Sequence, residues 1–208
     1  MILIRKITII FIVLNVLACS KPIEIIQEHD DDDNLIVEYQ RRKDDFAKHG
    51  WYKRYYPTGE LSEEAKYTDN KITGQRKMYF KNGDIQVIEN HVKGKFEGLY
   101  QSFYDNGKLE KEGAYVNNAM NGDWKFHYKT GELREIVQFK DNQENGTFKE
   151  YFKNGNLKFE GTYENGDYEV GELKKYDESG NLIAKMNCEI RQVAGEKFSQ
   201  CSTVWSAK

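Results

Sequence analysis

The side chains best suited to chemistry in this 208-residue chain are few enough to place one by one. The cysteines are Cys19, Cys188 and Cys201; the histidines are His29, His49, His91 and His127. A metal centre or a catalytic base needs histidines at ligand spacing, or a partner Ser or Cys in a matching pattern. No two of the four are so arranged, and no cofactor or metal is expected. The run "EHDDDDN" (28–34) carries the charge of a calcium loop without its alternating ligands or its glycine, and reads as a solvated acidic tether. Cys188 and Cys201 stand thirteen residues apart. In an exported chain they would form a disulfide; otherwise they are two free thiols. With 31 basic against 34 acidic residues, there is no net basic field to neutralise phosphates, so nucleic acid is not an expected partner.

The N-terminus bears on the compartment. Arg5 and Lys6 precede "ITIIFIVLNVLA" (7–18), which is shorter than the about 20 apolar residues a spanning helix requires. It runs into "VLACS" (16–20), which resembles the lipobox of bacterial lipoproteins, where the signal peptide is cut before the cysteine and lipid joins its thiol. The resemblance implies a signal peptide at 1–18, lipidation of Cys19 and an exported chain anchored in the cell envelope, on the periplasmic or outer surface side. An ordinary secretory signal with an incidental cysteine is the alternative. Losing Arg5 and Lys6 takes the formal charge from −3 to −5. Residues 19–49 then form the tether, with "LIVEYQRRK" (35–43) as a possible N-terminal cap strand, and 187–208 a tail holding the cysteine pair.

The elements between are written in a period. "GWYKRYYPTGELSEEAKY" begins at Gly50, and related phrases begin at Gly74, Gly98, Gly122 and Gly146, each 24 residues after the last. A weaker sixth copy starts one residue late, at Gly171, so the array covers 50–186. With the glycine as position zero, aromatics recur at two, five and six, Leu or Ile at eleven, and an aromatic or His at seventeen. Asn-Gly at eight and nine, as in Asn82-Gly83, Asn106-Gly107 and Asn154-Gly155, predicts hairpins with two-residue type I′ turns, a bulged three-residue turn being the alternative, joined by polar loops such as "TDNKIT". The fold class expected is all-β: an open antiparallel meander of tandem hairpins forming one elongated, twisted sheet.

In that register six opposes eleven, pairing Tyr56, Phe80, Tyr104, Tyr128 and Phe152 with Leu61, Ile85, Leu109, Leu133 and Leu157. Two opposes fifteen, setting Tyr100 over Gly113 and Phe148 over Gly161. Three opposes fourteen, pairing Lys53 with Glu64 and Lys149 with Glu160. Position five, occupied by Tyr55, Tyr79, Phe103, His127, Tyr151 and Tyr176, falls on the other face as a row about 9–10 Å apart. Interleaved with Lys53, Lys77, Lys125 and Lys149, that row is either a recognition strip or a second layer of packing. His91 and His127 occupy aromatic slots of the repeat, and His29 and His49 lie outside it. An enzyme acting on envelope glycans would need paired acids in a cleft. The glutamate at fourteen is instead matched to lysine in two repeats and replaced by isoleucine in two, so no catalytic residue is expected.

The phrase Gly-x-Trp/Tyr/Phe-x-x-Tyr-Tyr/Phe-x-Asn-Gly-x-Leu-x-x-Glu-Gly-x-Tyr resembles the MORN-repeat variant, found in bacterial proteins often labelled YwqK-type antitoxins. The resemblance implies protein contacts, lipid contacts in some eukaryotic cases, and no common catalytic set. The antitoxin label implies a soluble partner inside the cell, against which the signal peptide stands. The function expected is a non-enzymatic, lipid-anchored scaffold binding a protein or an envelope polymer through its sheet face; toxin neutralisation is the alternative.

Overall fold

A computed structural model describes residues 7–10 and 21–207; Cys19 and most of the proposed signal peptide lie outside the described residues. Every regular element among them is a strand. The chain forms two compact units, dividing after Gly98. The N-terminal unit contains β1 (Ile7–Ile10), β2 (Ile23–His29), β3 (Leu35–Arg42), β4 (Lys48–Tyr55), β5 (Leu61–Thr68), β6 (Lys71–Ile72), β7 (Gly74–Tyr79), β8 (Ile85–Val92) and β9 (Lys95–Phe96). Next come β10 (Gly98–Phe103), β11 (Leu109–Val116), β12 (Ala119–His127), β13 (Leu133–Lys140), β14 (Gln143–Tyr151), β15 (Leu157–Glu164), β16 (Tyr168–Tyr176), β17 (Leu182–Val193) and β18 (Glu196–Ser206). Successive strands pair antiparallel from β1 to β5 and from β11 to β18, so each unit is an open meander. β1 lies inside the proposed signal peptide and pairs with β2 from Ile7↔Glu28 to Ile10↔Ile25.

Both turn assignments are reversed. At Asn82-Gly83 only the glycine has positive φ, 87°, and the same holds at Gly107 (77°) and Gly155 (86°). Gly83 N–H donates to Phe80 O at 2.9 Å, while Phe80 N–H donates to Asp84 O at 2.8 Å. This is a type I turn closed by a glycine bulge, a three-residue loop. The asparagine acts through its side chain: Asn82 Oδ1 accepts from Asp84 N–H at 3.0 Å, and Asn106 and Asn154 do likewise. Type I′ geometry, with positive φ at both central residues, belongs instead to the inter-repeat links at Asp69-Asn70 (51° and 64°), Asn117-Asn118 (51° and 73°) and Asp141-Asn142 (51° and 69°).

The extra loop residue moves the pairing near each turn. Position eleven opposes five, as in Tyr55↔Leu61, Tyr79↔Ile85, His127↔Leu133, Tyr151↔Leu157 and Tyr176↔Leu182. The expected pairing of six with eleven is therefore incorrect. A bulge beside this pair restores the register, so Tyr52↔Ala65, Lys53↔Glu64, Phe148↔Gly161 and Lys149↔Glu160 stand opposed. The tyrosine at six reaches the following hairpin instead. Tyr56, Tyr104 and Tyr128 hydroxyls donate to the carbonyls of Tyr79, His127 and Tyr151 at 2.7, 2.8 and 2.8 Å. Tyr128→Phe is expected to cost about 0.5–1.5 kcal/mol in urea unfolding by deleting one such tie; an unchanged midpoint would show the carbonyl to be as well served by water.

Two layers of rings and aliphatics form on the face of positions two, fifteen and seventeen. In the N-terminal unit Ile26, Val37, Tyr39, Tyr52 and Ala65 make a buried cluster. In the C-terminal unit Val137, Phe148, Leu173 and Cys188 make another, and Trp124, with no exposed surface, packs on Tyr100, Tyr115 and Phe139. The glycines at fifteen make room for rings from either side: a Cβ on Gly161 would lie 2.8 Å from Phe148, and one on Gly113 would lie 2.1 Å from Trp124 of the next repeat.

The flanking segments are more ordered than a tether and a tail. "EHDDDDN" closes the β2–β3 hairpin, where Asp30 Oδ1 accepts from Asp32 N–H at 3.1 Å and Asn34 N–H at 2.8 Å. Those acceptor bonds, with Asn34 foremost, hold the Asp30 carboxyl below its usual range. At the other end β17 runs through residue 187 without a break. Cys188 and Cys201 are opposed across β17 and β18 and joined in a disulfide, with Cα atoms 4.0 Å apart. Cys188 sits at position seventeen of the sixth repeat and is buried in the core, so the bridge clips a hairpin to the array.

Candidate binding face

Opposed residues of neighbouring strands share a face, and positions three and fourteen therefore form continuous rows. In the N-terminal unit the row reads Gln27, Glu38, Lys53, Glu64, Lys77, Ile88. In the C-terminal unit it reads Glu112, Lys125, Ile136, Lys149, Glu160, Lys174, Lys185, Trp205. The glutamates at fourteen close their ion pairs forward, with the lysine of the following hairpin: Glu64–Lys77 at 3.4 Å, Glu112–Lys125 at 3.3 Å and Glu160–Lys174 at 3.1 Å. Lys53 and Lys149, the partners expected from the sequence, are opposed to these carboxylates without closing an ion pair with them.

Position five reinforces that direction for Glu64 and Glu160. Tyr79 Oη donates to Glu64 Oε1 at 2.6 Å and Tyr176 Oη to Glu160 Oε1 at 2.8 Å. These hydroxyls fasten each carboxylate toward the following strand. All six residues of the proposed strip, Tyr55, Tyr79, Phe103, His127, Tyr151 and Tyr176, are half-buried rather than standing free in solvent. The Tyr79 hydroxyl, followed by Lys77, holds the Glu64 carboxyl below its usual range; Tyr176 and Lys174 do the same for Glu160. A lowered carboxyl contributes stability above its unfolded value and loses it as pH falls through the folded value. In Tyr79→Phe the Glu64 carboxyl is expected to titrate closer to an ordinary glutamate by NMR, and an unmoved titration would show Lys77 to be sufficient alone.

On the core face of the C-terminal unit the sign is opposite. Burial pushes the Glu135 carboxyl up, and Glu150 stands directly opposite it. Charging it costs stability above the unfolded value, and the cost vanishes below both values. Glu135→Gln is expected to raise the thermal midpoint at pH 7, with the gain shrinking to nothing as the pH falls through the carboxylate range. A gain independent of pH would assign the effect to packing.

The repeat from Gly74 departs from its neighbours on the core face. Arg76, Glu89 and His91 hold positions two, fifteen and seventeen, where Tyr100, Gly113 and Tyr115 stand one repeat later. Arg76 Nε donates to Glu63 Oε1 at 2.8 Å and Nη1 to Glu89 Oε2 at 3.1 Å, while His91 Nε2 lies 3.2 Å from Glu89 Oε2. Glu63, Glu89 and His91 are 8%, 6% and 5% exposed, so this is a buried ionic cluster inside an aromatic stack. Position-by-position reading had explained only His91; the signal available was three coordinated departures within one repeat.

The model of the MORN repeat variant matches residues 48–69, 96–117, 120–141, 144–165 and 169–187, together over half of the chain. The chain belongs to the MORN-repeat variant family. The MORN match passes over the repeat from Gly74, the one that places charged residues where the others place rings or aliphatic and cysteine side chains. No curated protein matches the chain. Among solved structures, the crystal structures of TcdB2-TccC3-TEV and TcdB2-TccC3 are each 11% identical, with TM-scores of 0.23 and 0.22. The MORN chain is covered over 89% and 87% of its length in these matches but spans only 13% of each of those proteins.

Proposed function

We propose that this MORN-variant chain is a non-enzymatic scaffold, held in the cell envelope by lipid on Cys19, which binds a protein or an envelope component through its lysine–tyrosine face. The observation that carries the reading is the row itself: position three is lysine in five of the six repeats and position five is tyrosine in four. Each of Glu64 and Glu160 is engaged by a lysine and a hydroxyl, which suits a preset contact surface better than proton transfer. Toxin neutralisation, suggested by the family label, would use the same kind of surface on a different partner.

Cross-linked pull-downs from membranes should recover a partner with the native chain and lose it when Tyr55, Tyr79 and Tyr151 are changed to alanine; equal recovery would count against the face. Labelling with an alkyne fatty acid should mark the native chain and leave Cys19→Ala unmarked. Toxin neutralisation predicts instead that deleting this chain, with the neighbouring gene intact, is harmful to the cell.

A further inference from the structure

The binding face has a shallow cleft at the same place in each unit, formed by positions one to three, fourteen to sixteen, and one and three of the next repeat. In the C-terminal unit its polar rim holds Thr147, Lys149, Glu160, Thr162, Glu172 and Lys174. In the N-terminal unit the equivalents are Trp51, Lys53, Glu64, Lys66, Gln75 and Lys77, around a cleft of about 230 Å³. The two clefts share a backbone and a Lys–Glu–Lys frame, with the hydroxyls of Tyr79 and Tyr176 bound to Glu64 and Glu160. Whatever the fold requires at this place is met by residues common to both, and the differences are free to serve a ligand.

Within the rim those differences point one way, while on the preceding strand Glu38 stands opposite Lys53 where Ile136 stands opposite Lys149. Threonine at position one becomes Trp51, threonine at sixteen becomes Lys66, and Glu172 becomes Gln75. The C-terminal rim balances two lysines against two glutamates, whereas the N-terminal rim sets three lysines against Glu64 alone. Among the described residues, the Lys66 ammonium, the Gln75 carboxamide and the Trp51 indole N–H have no hydrogen-bond partner, and Lys66 and Gln75 are exposed. Lys53 Nζ lies 5.6 Å from the centre of the Trp51 ring. A flat apolar ring beside an excess of unengaged donors fits a ligand that offers both a C–H surface and negative charge.

We propose that this cleft binds an acidic sugar unit within a polysaccharide, stacked on Trp51 with its carboxylate or sulfate on Lys53 and Lys66. The proposal rests on the scaffold reading above and names one ligand class for that face. An open cleft on a sheet surface admits an internal unit of a chain, since nothing closes over either end.

The test uses the full-length chain in detergent and a galacturonate hexamer, followed by calorimetry at low salt. Saturable binding with one site per chain is expected. Lys66→Ala should bind about fivefold and Trp51→Ala about tenfold more weakly, by loss of one charged contact and one aromatic platform. Thr147→Ala should bind as the native chain does. Grafting Thr147→Trp, Thr162→Lys and Glu172→Gln together should raise the stoichiometry from one to two, an outcome that loss of folding cannot imitate. No binding, equal binding of neutral dextran, or equal binding of polyglutamate would overturn the proposal. So would native affinity in both Lys66→Ala and Trp51→Ala. Each of those results leaves the membrane pull-down untouched, so the two readings fail separately.

Discussion

Arg76→Ala is expected to destabilise the N-terminal unit by about 3–5 kcal/mol, because it leaves Glu63 and Glu89 buried without their shared cation. The guanidinium closes on both carboxylates, at 2.8 and 3.1 Å, and their side chains are only 10% and 8% exposed. The second cation near Glu63, Arg54, lies 3.9 Å away and is mostly in solvent. Removing one member of a buried set is far worse than never having built it, since desolvation of the remaining charges is no longer offset. The complementary experiment replaces the whole set by what stands one repeat later: Glu63→Val, Arg76→Tyr, Glu89→Gly and His91→Tyr together. That variant is expected to equal or exceed the native chain in stability, by up to about 4 kcal/mol. Urea unfolding followed by far-ultraviolet dichroism measures both. If Arg76→Ala lost less than about 1 kcal/mol, water must reach the carboxylates.

The hairpin array was legible because two periods are superposed, alternation along each strand and recurrence every 24 residues, and burial on one face enforces both. Tyr52 against Ala65 and Phe148 against Gly161 could therefore be paired from the sequence. The turn could not. Asn-Gly satisfies type I′, which needs positive φ twice, and a glycine bulge, which needs it once; the bulge near position twelve that decides between them has no residue signature. The genuine type I′ turns were obscure for the converse reason, as Asp69-Asn70 and Asn117-Asn118 contain no glycine. The hydroxyl ties from Tyr56, Tyr104 and Tyr128 join residues 23 apart in sequence and depend on the pairing that the turn sets, so missing the turn meant missing them. On the binding face, the Tyr79 and Tyr176 hydroxyls reinforce the forward ion pairs of Glu64 and Glu160, a tertiary contact rather than a pairwise register. Trp51 stands at position one, where the repeat sets no residue type; only comparison with Thr147 on an equivalent backbone separates it from the fold.

Trp124→Ala is expected to cost about 3–5 kcal/mol, a large share of what a small unit has to lose. The indole has no exposed surface, and its ring centre lies 5.7, 5.2 and 6.1 Å from those of Tyr100, Tyr115 and Phe139. Its N–H, buried, has no hydrogen-bond partner among the described residues. Its contribution therefore rests on apolar area and ring packing, large enough to outweigh an unmet donor. What admits so large a ring is Gly113, where a Cβ would stand 2.1 Å from Trp124 Cδ2 and 2.3 Å from Cε2. Gly113→Ala is expected to cost about 1–3 kcal/mol by overpacking. In a Trp124→Ala background the same substitution should cost almost nothing, since the space it invades is already empty. The double-mutant cycle should thus show a coupling nearly as large as the Gly113→Ala cost itself. Additive costs would mean that Gly113 is there for its backbone. The glycines at fifteen would then have to be explained without the rings that lie on them.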